Sequence, residues 1–198
     1  GDRRVQIIAC DCSNMNECSQ MAQNAINTFG QVDMLFLMAG GAYPGRFEEL
    51  QADKFEEMMQ MNYYVALYPI LAISPFMRKR HQMQAAEARS SSNAKNGPQV
   101  QADIIIANSG VALLGVYGYS SYAPAKWALR GLFETLQIEF VPYNIRMVQV
   151  FCPDMDTPGF HEENKTKPGE TFAISEGMLY QPNEVAQRVV AQVMAGKR

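Results

Sequence analysis

Ser109-Gly110-Val111-Ala112-Leu113-Leu114-Gly115-Val116-Tyr117-Gly118-Tyr119-Ser120-Ser121-Tyr122-Ala123-Pro124-Ala125-Lys126 is the stretch that decides how this chain folds. It leaves a run of apolar residues, Ile104-Ile105-Ile106-Ala107, inside a strand expected over Asp103 to Asn108. The glycine-rich loop then leads into an apolar-periodic segment, a helix expected from about Ser121 to Phe140. Tyr122 and Lys126 stand four apart at its start, so phenol and ammonium share one helical face. A lysine beside a phenol favours the phenolate and lowers its pKa, which suits the phenol to proton transfer. Ser109 lies where the strand ends, and ligands of open α/β sheets bind beyond the carboxyl ends of strands. Tyrosine and lysine four apart would equally describe an ordinary solvated helix start. The ordered strand, serine, loop and helix give the pair its meaning.

Elsewhere strands and helices alternate. Val5 to Cys10 reads as a strand, and Ser13 or Asn14 caps a helix over Met15 to Phe29 that Gly30 ends. Val32 to Met38 is a continuous apolar strand, as in a parallel sheet covered on both faces. Ala39-Gly40-Gly41 then turns tightly. A helical segment from Ala52 runs to about Lys79, with kinks or breaks expected at Pro69 and Pro75. Residues 82–99 turn polar and are expected to be a mobile surface insert. Ile145 to Phe151 is the next strand, residues 152–180 read as irregular, and a helix over Asn183 to Met194 follows. The order predicts one α/β domain, a Rossmann-like doubly wound parallel sheet in three layers.

The 198 residues carry a net charge of −3, which gives no electrostatic case for nucleic acid. No run approaches the roughly 20 apolar residues of a membrane span. Cys10, Cys12, Cys18 and Cys152 show no metal-ligand spacing with His81 or His161, so no metal is expected. They read as reduced, half-buried thiols.

Several segments resemble the short-chain dehydrogenase/reductase family in order and spacing: Asp11 just past its strand, Met38-Ala39-Gly40, Met61-Asn62-Tyr63, Ser109, Tyr122-x-x-x-Lys126, and Pro153 with Thr157. The resemblance implies catalytic roles for four residues. Ser109 would bond the substrate carbonyl oxygen, and Tyr122 would protonate it. Lys126 would lower the Tyr122 pKa and bond the nicotinamide ribose. The Asn62 carbonyl would link Lys126 to solvent through water. It also implies cofactor contacts at Asp11 (to the adenine amino group), Cys12, Ala39, Gly40, Tyr122, Lys126, Pro153 and Thr157. Asp11 also fits a helix-start aspartate with no ligand. Met38 departs from the family's asparagine and removes an amide that usually ties neighbouring strands.

Pro153-Asp154-Met155-Asp156-Thr157-Pro158-Gly159-Phe160 with Glu162-Glu163-Asn164-Lys165-Thr166-Lys167-Pro168, and Ala128-Leu129-Arg130-Gly131-Leu132, resemble the family branch that reduces long-chain 3-keto sphingoid bases. That implies NADPH as cofactor, a lipid substrate, and residence at the cytosolic face of the endoplasmic reticulum membrane through segments outside this chain. Residues 153–180 would form a substrate lid, with Phe160, Phe172, Ile174, Met178 and Leu179 facing an acyl chain or packing on the domain. Trp127, Leu129, Leu132, Phe133, Leu136 and Phe140 give the Tyr122 helix more apolar surface than one sheet contact needs. The resemblance implies pairing of two copies through this helix and the one carrying Asn62; the alternative is that one stripe packs on the sheet and the lid covers the rest. Two other readings stay open: a reductase of another lipid, steroid or small ketone, and a nonenzymatic scaffold. The family's first two strands and Gly-rich cofactor turn are missing here, so the chain is expected to be part of a longer protein and inactive alone.

Overall fold

The helix over Met15–Phe29 (α1) starts as its sequence dictates. The Asn14 side chain accepts from the N–H groups of Asn16 (3.0 Å) and Glu17 (3.4 Å), meeting two donors that a helix start leaves free. Gly30, at φ 82°, closes it by donating to the Ile26 carbonyl. The structure is a computed structural model, and it describes residues 5–90, 102–174 and 177–196.

Among the described residues three parallel strands form the sheet in the order β1-β2-β3: β1 is Met34–Leu37, β2 is Ala102–Ser109 and β3 is Ile145–Cys152. Leu37 pairs with Ile106, and Ser109 with Cys152, so the strands end near one another at one edge of the sheet. The helices between them are α2 (Ala52–Met59), α3 (Val65–Ser90) and α4 (Tyr122–Glu139). After β3 come α5 (Pro158–Asn164), α6 (Gly169–Ile174) and α7 (Pro182–Met194).

Strand alternation sends side chains to both faces. Ile104, Ile106 and Met147 pack with Ile70, Ile73 and Met77 of α3 and Leu129 of α4. Ile105 and Val148 face the other way and meet Val193 of α7. This is the three-layer parallel architecture expected from the sequence. An ion pair sits inside it: Arg146 donates to Asp103 through Nε (2.9 Å) and Nη2 (2.7 Å), and Nη2 also reaches the Val193 carbonyl at 2.7 Å. It ties β2 and β3 to the end of α7.

Four expectations are corrected. Residues 5–10 are not a strand; Val5 and Ile7 are 84% and 94% exposed. A strand needs a hydrogen-bonded neighbour, and none of the described strands pairs with this segment. Pro69 and Pro75 do not end their helix, which runs through both. The interruption comes earlier, at a π turn over Gln60–Tyr64, where hydrogen bonds skip one residue further. Residues 82–90 are helical rather than part of a loose insert, whose remaining stretch, 91–99, lies outside the described residues. Residues 153–174 and 177–180 are not irregular. They hold α5 and α6, and Met155 bridges Tyr180 in parallel, with Asp156 N–H to Tyr180 O at 2.9 Å and Tyr180 N–H to Asp154 O at 3.0 Å.

Candidate active site

Ser109 is the last residue of β2. Its hydroxyl accepts from the Val111 N–H (3.4 Å) and caps a short 3-10 turn over Gly110–Ala112. Asn108, buried before it, accepts from the Ser109 N–H (2.8 Å) and donates to the Lys126 carbonyl (3.2 Å). One amide therefore fixes the serine and the first turn of α4 together. Trp127 donates from Nε1 to the Val111 carbonyl at 2.8 Å, and Ser121 donates to the Tyr43 carbonyl at 3.1 Å. These ties position α4 so that Tyr122 and Lys126 face inward.

Lys126 is 5% exposed, with Nζ 5.5 Å from the centre of the Tyr122 ring. Among the described residues its Nζ makes no hydrogen bond. Burial holds its pKa down to about 8, with the Cys152 thiol opposing weakly. Tyr122 is pushed up from the ordinary phenol range, chiefly by burial. A hydrogen bond with the Ser109 side chain pulls it down; Glu163, Cys152 and Asp154 push it further up. The expected lowering of Tyr122 by Lys126 is therefore not the balance here. Desolvation dominates, and Lys126 itself gives up much of its charge near pH 8.

At the end of β1, Ala39, Gly40 and Gly41 form another wall. A Cβ on Gly40 would lie 2.8 Å from Asn62 Oδ1 and 3.4 Å from Lys126 Nζ, so only glycine leaves room for both. The buried Asn62 accepts from the Gly41 N–H (3.2 Å) and donates to the Gly41 carbonyl (2.8 Å) and the Met58 carbonyl (3.0 Å). These bonds tie the π turn to the loop that follows β1.

The segment after β3 covers the opening. Thr157 caps α5 by accepting from the Phe160 N–H at 3.1 Å. Thr171 of α6 donates to the Tyr117 carbonyl at 2.9 Å, and Arg46 grips Glu170 at 2.9 and 3.1 Å. Gly118 makes this closure possible: its φ is 82°, and a Cβ would fall 2.5 Å from Thr171 Oγ1. Tyr119 donates its hydroxyl to Glu163, and Lys167 stands 3.4 Å from the same carboxylate oxygen.

The result is a cavity of about 580 Å³. Its walls bring together Ala39, Gly40, Ser109, Tyr122, Lys126, Pro153 and Thr157 from the sequence-based set. Asn62 lies behind Gly40 as a support. Asp11 and Cys12 are not in the walls. Asp11 binds its own turn instead, accepting from the Ser13 N–H (2.8 Å) and hydroxyl (2.7 Å), and these bonds hold its carboxyl below its usual range. The sulfurs of Cys10, Cys12 and Cys18 lie within 4.8 Å of one another, a proximity their spacing did not announce. Burial and the neighbouring thiols push Cys18 up to about 12, so it is a neutral thiol near pH 7.

Sequence reasoning passed over Asn108, Gly118, Tyr119 and Glu163 as working parts. Glu163 and Lys167 had only a weak signal, opposite charges four apart in sequence, because Lys167 lies beyond the end of α5. Asn108 and Gly118 had none, because their partners are distant in sequence. Of the five suggested acyl-facing residues, Phe160 and Ile174 line the cavity; Phe172, Met178 and Leu179 do not, and are 44%, 74% and 42% exposed. Gly40, with no side chain to block approach, and the unbonded Lys126 ammonium suit a flat ring with hydroxyls beside it, as in a nicotinamide riboside.

The parallel sheet, the serine at its strand end and the Tyr122–Lys126 helix accord with the family comparison: residues 2–168 match short chain dehydrogenase, and this chain belongs to that family. It is similar to the 3-dehydrosphinganine reductase of Danio rerio, 39% identical over 190 residues, 96% of this chain and 51% of that protein. It is likewise similar to the 3-ketodihydrosphingosine reductase of Dictyostelium discoideum, 38% identical over 196 residues, 98% of this chain and 54% of that protein. The chain thus spans about half the length of the curated relatives it matches. Among solved structures, the fold is shared with a 3-ketoacyl-(acyl-carrier-protein) reductase from Brucella melitensis complexed with NADH. The TM-score is 0.74 at 19% identity, over 93% of this chain and 69% of that one. An alcohol dehydrogenase from Thermococcus sibiricus complexed with 5-hydroxy-NADP gives a TM-score of 0.70 at 23% identity, over 93% and 66%.

Proposed function

We propose that the whole protein to which this chain belongs is a reductase of 3-ketodihydrosphingosine that uses NADPH. The observation that carries this reading is the convergence of Ser109, Tyr122 and Lys126 on one cavity capped by α5 and α6. The names of the relatives support the substrate, and NADPH is the finer choice among nicotinamide cofactors.

A nicotinamide cofactor, when bound, supplies hydride to the carbonyl carbon. This chain's residues do the rest. Ser109 and Tyr122 donate to the carbonyl oxygen and hold it where negative charge develops, which is where fixed donors lower a barrier most. Tyr122, a phenol that burial holds still further above neutral pH, passes its proton to that oxygen. Lys126, with its pKa near 8, replaces the proton and draws another from solvent. Asn62 is the proposed relay: its side chain is taken up by Gly41, which leaves its backbone carbonyl for a water beside Lys126. Asp11 and Cys12, outside the cavity, are proposed to serve the adenine end of the cofactor, while Ala39, Gly40, Pro153 and Thr157 border the nicotinamide end. Residues 153–180 act as the lid. The reading includes work at the cytosolic face of the endoplasmic reticulum membrane; no described helix is long and apolar enough to cross a membrane.

The test is NADPH oxidation by the whole protein with 3-ketodihydrosphingosine beside simple ketones. Turnover of the sphingoid ketone is expected, and Tyr122→Phe is expected to lower kcat by about 100-fold or more, the range for loss of a general acid. No turnover of any ketone by the wild type would overturn the reading.

A further inference from the structure

Two carboxylates share the cavity with the reacting tyrosine, and the reduction itself has no use for them. Glu163, on α5, takes the Tyr119 hydroxyl and has Lys167 3.4 Å away; its side chain is 18% exposed. Asp154 lies just past β3, lines the same cavity and is exposed. Among the described residues its side chain makes no hydrogen bond or ion pair. Lys126 is the one cation among the described wall residues, and it belongs to the Gly40 side.

Negative charge here acts against the reaction. When Tyr122 gives its proton to the carbonyl oxygen, a phenolate is left in the cavity that Asp154 and Glu163 also line, and their like charge opposes it. Both carboxylates already push Tyr122 upward. A neutral ketone leaves that opposition standing. A substrate that brings its own positive charge close to the carbonyl removes it, and the carboxylates then become binding groups.

We infer that Asp154 and Glu163 select a ketone bearing an ammonium group on the carbon next to the carbonyl, and that this ammonium docks at the two carboxylates. The inference rests on the reductase reading and deepens it: 3-ketodihydrosphingosine carries such an amine, and Asp154 and Glu163 are the residues assigned to read it. The free Asp154 carboxylate meets the ammonium directly. Glu163 offers the oxygen not taken by Tyr119, and Tyr119 and Lys167 hold it in place. Hydride still adds to the carbonyl carbon and the Tyr122 proton to its oxygen. The ammonium stays intact and forms no bond.

Whole wild-type protein is assayed with NADPH against a long-chain α-amino ketone and the same ketone with hydrogen in place of the amine. The amino ketone is expected to win in kcat/KM by about tenfold or more, the worth of a charge-assisted hydrogen bond. Asp154→Asn and Glu163→Gln are each expected to cut that ratio by about tenfold. Raising the pH until the amine is neutral is expected to shrink the kcat/KM ratio of the two ketones, a change that the titration of Lys126 near pH 8, common to both substrates, does not produce. Calorimetry adds a readout without turnover: the long-chain amino alcohol product is expected to bind about tenfold more tightly than its N-acetyl derivative, which has no charge. If Glu163→Gln does not fold, because Lys167 loses its partner, Asp154→Asn and the wild-type comparisons still decide. Equal kcat/KM for the two ketones, with equal binding of the amine and its N-acetyl form, overturns the inference and leaves the reductase reading intact. Reduction of neither ketone overturns the reductase reading itself.

Discussion

Lys126 shows what the site costs the fold. An ammonium that is 5% exposed with no hydrogen bond among the described residues is destabilising, and its lowered pKa records that. The shift from 10.5 to about 8 is on the order of 3 kcal/mol. The sign follows from linkage. Below pH 8 both native and unfolded states hold the proton, so the native state bears the whole cost of the buried charge. Between about pH 8 and 10.5 the native state has released the proton and the unfolded state has not, so stability rises with pH. Lys126→Met in the whole protein without cofactor is therefore expected to be more stable than wild type at pH 7 and to lose most of that advantage by pH 10.5. Urea denaturation at the two pH values measures it, and an equal advantage at both would show that burial of the charge is not the cause. The same variant is expected to be inactive. Cys18 makes a second case at this scale. Buried and pushed up to about 12, it is expected to resist alkylation at pH 8 until the protein is unfolded, whereas a folded-state labelling rate like that of a free thiol would contradict its placement.

Among the elements, β2 and β3 depend on a pair that sequence reasoning did not single out. Asp103 and Arg146 are 7% and 8% exposed and meet through two bonds, with the Val193 carbonyl taking a third. Breaking a buried ion pair by removing one partner is costly, so Arg146→Ala is expected to cost about 3–5 kcal/mol of unfolding free energy. A loss under 1 kcal/mol in denaturant titration would mean that water reaches Asp103. The cap makes a comparable prediction. Gly118→Ala forces a side chain into a left-handed conformation and against Thr171. Faster amide exchange over residues 158–174 is expected, with β2 unchanged.

These elements also show what was legible. Met15–Phe29 was read to the residue because Asn14 and Gly30 punctuate it locally. The central strands and α4 were legible because Ile104 to Ala107 and the Tyr122–Lys126 pair carry their signal within a few residues. The failures are nonlocal. Val5 to Cys10 has a strand's composition, but a strand exists only with a neighbour. Residues 158–174 read as loop because their short helices are held from outside, by Tyr117, Tyr119 and Arg46. The Asn62 tie to Gly41 was hidden for the same reason, since nothing within 20 residues of Asn62 announces it.

On the scale of the whole molecule, the apolar surface is uneven. β1 is an edge strand with Met34 and Phe36 38% and 41% exposed, and Val5 and Ile7 stand open as well. An edge that offers free backbone groups beside apolar side chains pairs with other chains unless charge or cover prevents it. A second apolar region surrounds the end of α4, where Ile138 and Val141 are 70% and 65% exposed. The rest of the α4 stripe is used at home: Leu129 and Phe140 are buried, and Leu132, Phe133 and Leu136 pack on the core. The two regions lead to different assemblies. Pairing through α4, proposed for the whole protein, is self-complementary and closes at two copies. Edge pairing at β1 has no such limit. This 198-residue chain by itself is therefore expected to sediment as species that grow with concentration, and Phe36→Lys is expected to suppress the growth by placing charge on the edge. Ile138→Glu is expected to leave the growth in place and, in the whole protein, to turn a dimer into a monomer. If the isolated chain stays one small species at tens of micromolar, the edge is protected by something other than charge. If Phe36→Lys has no effect while Ile138→Glu abolishes the growth, the association belongs to α4 instead.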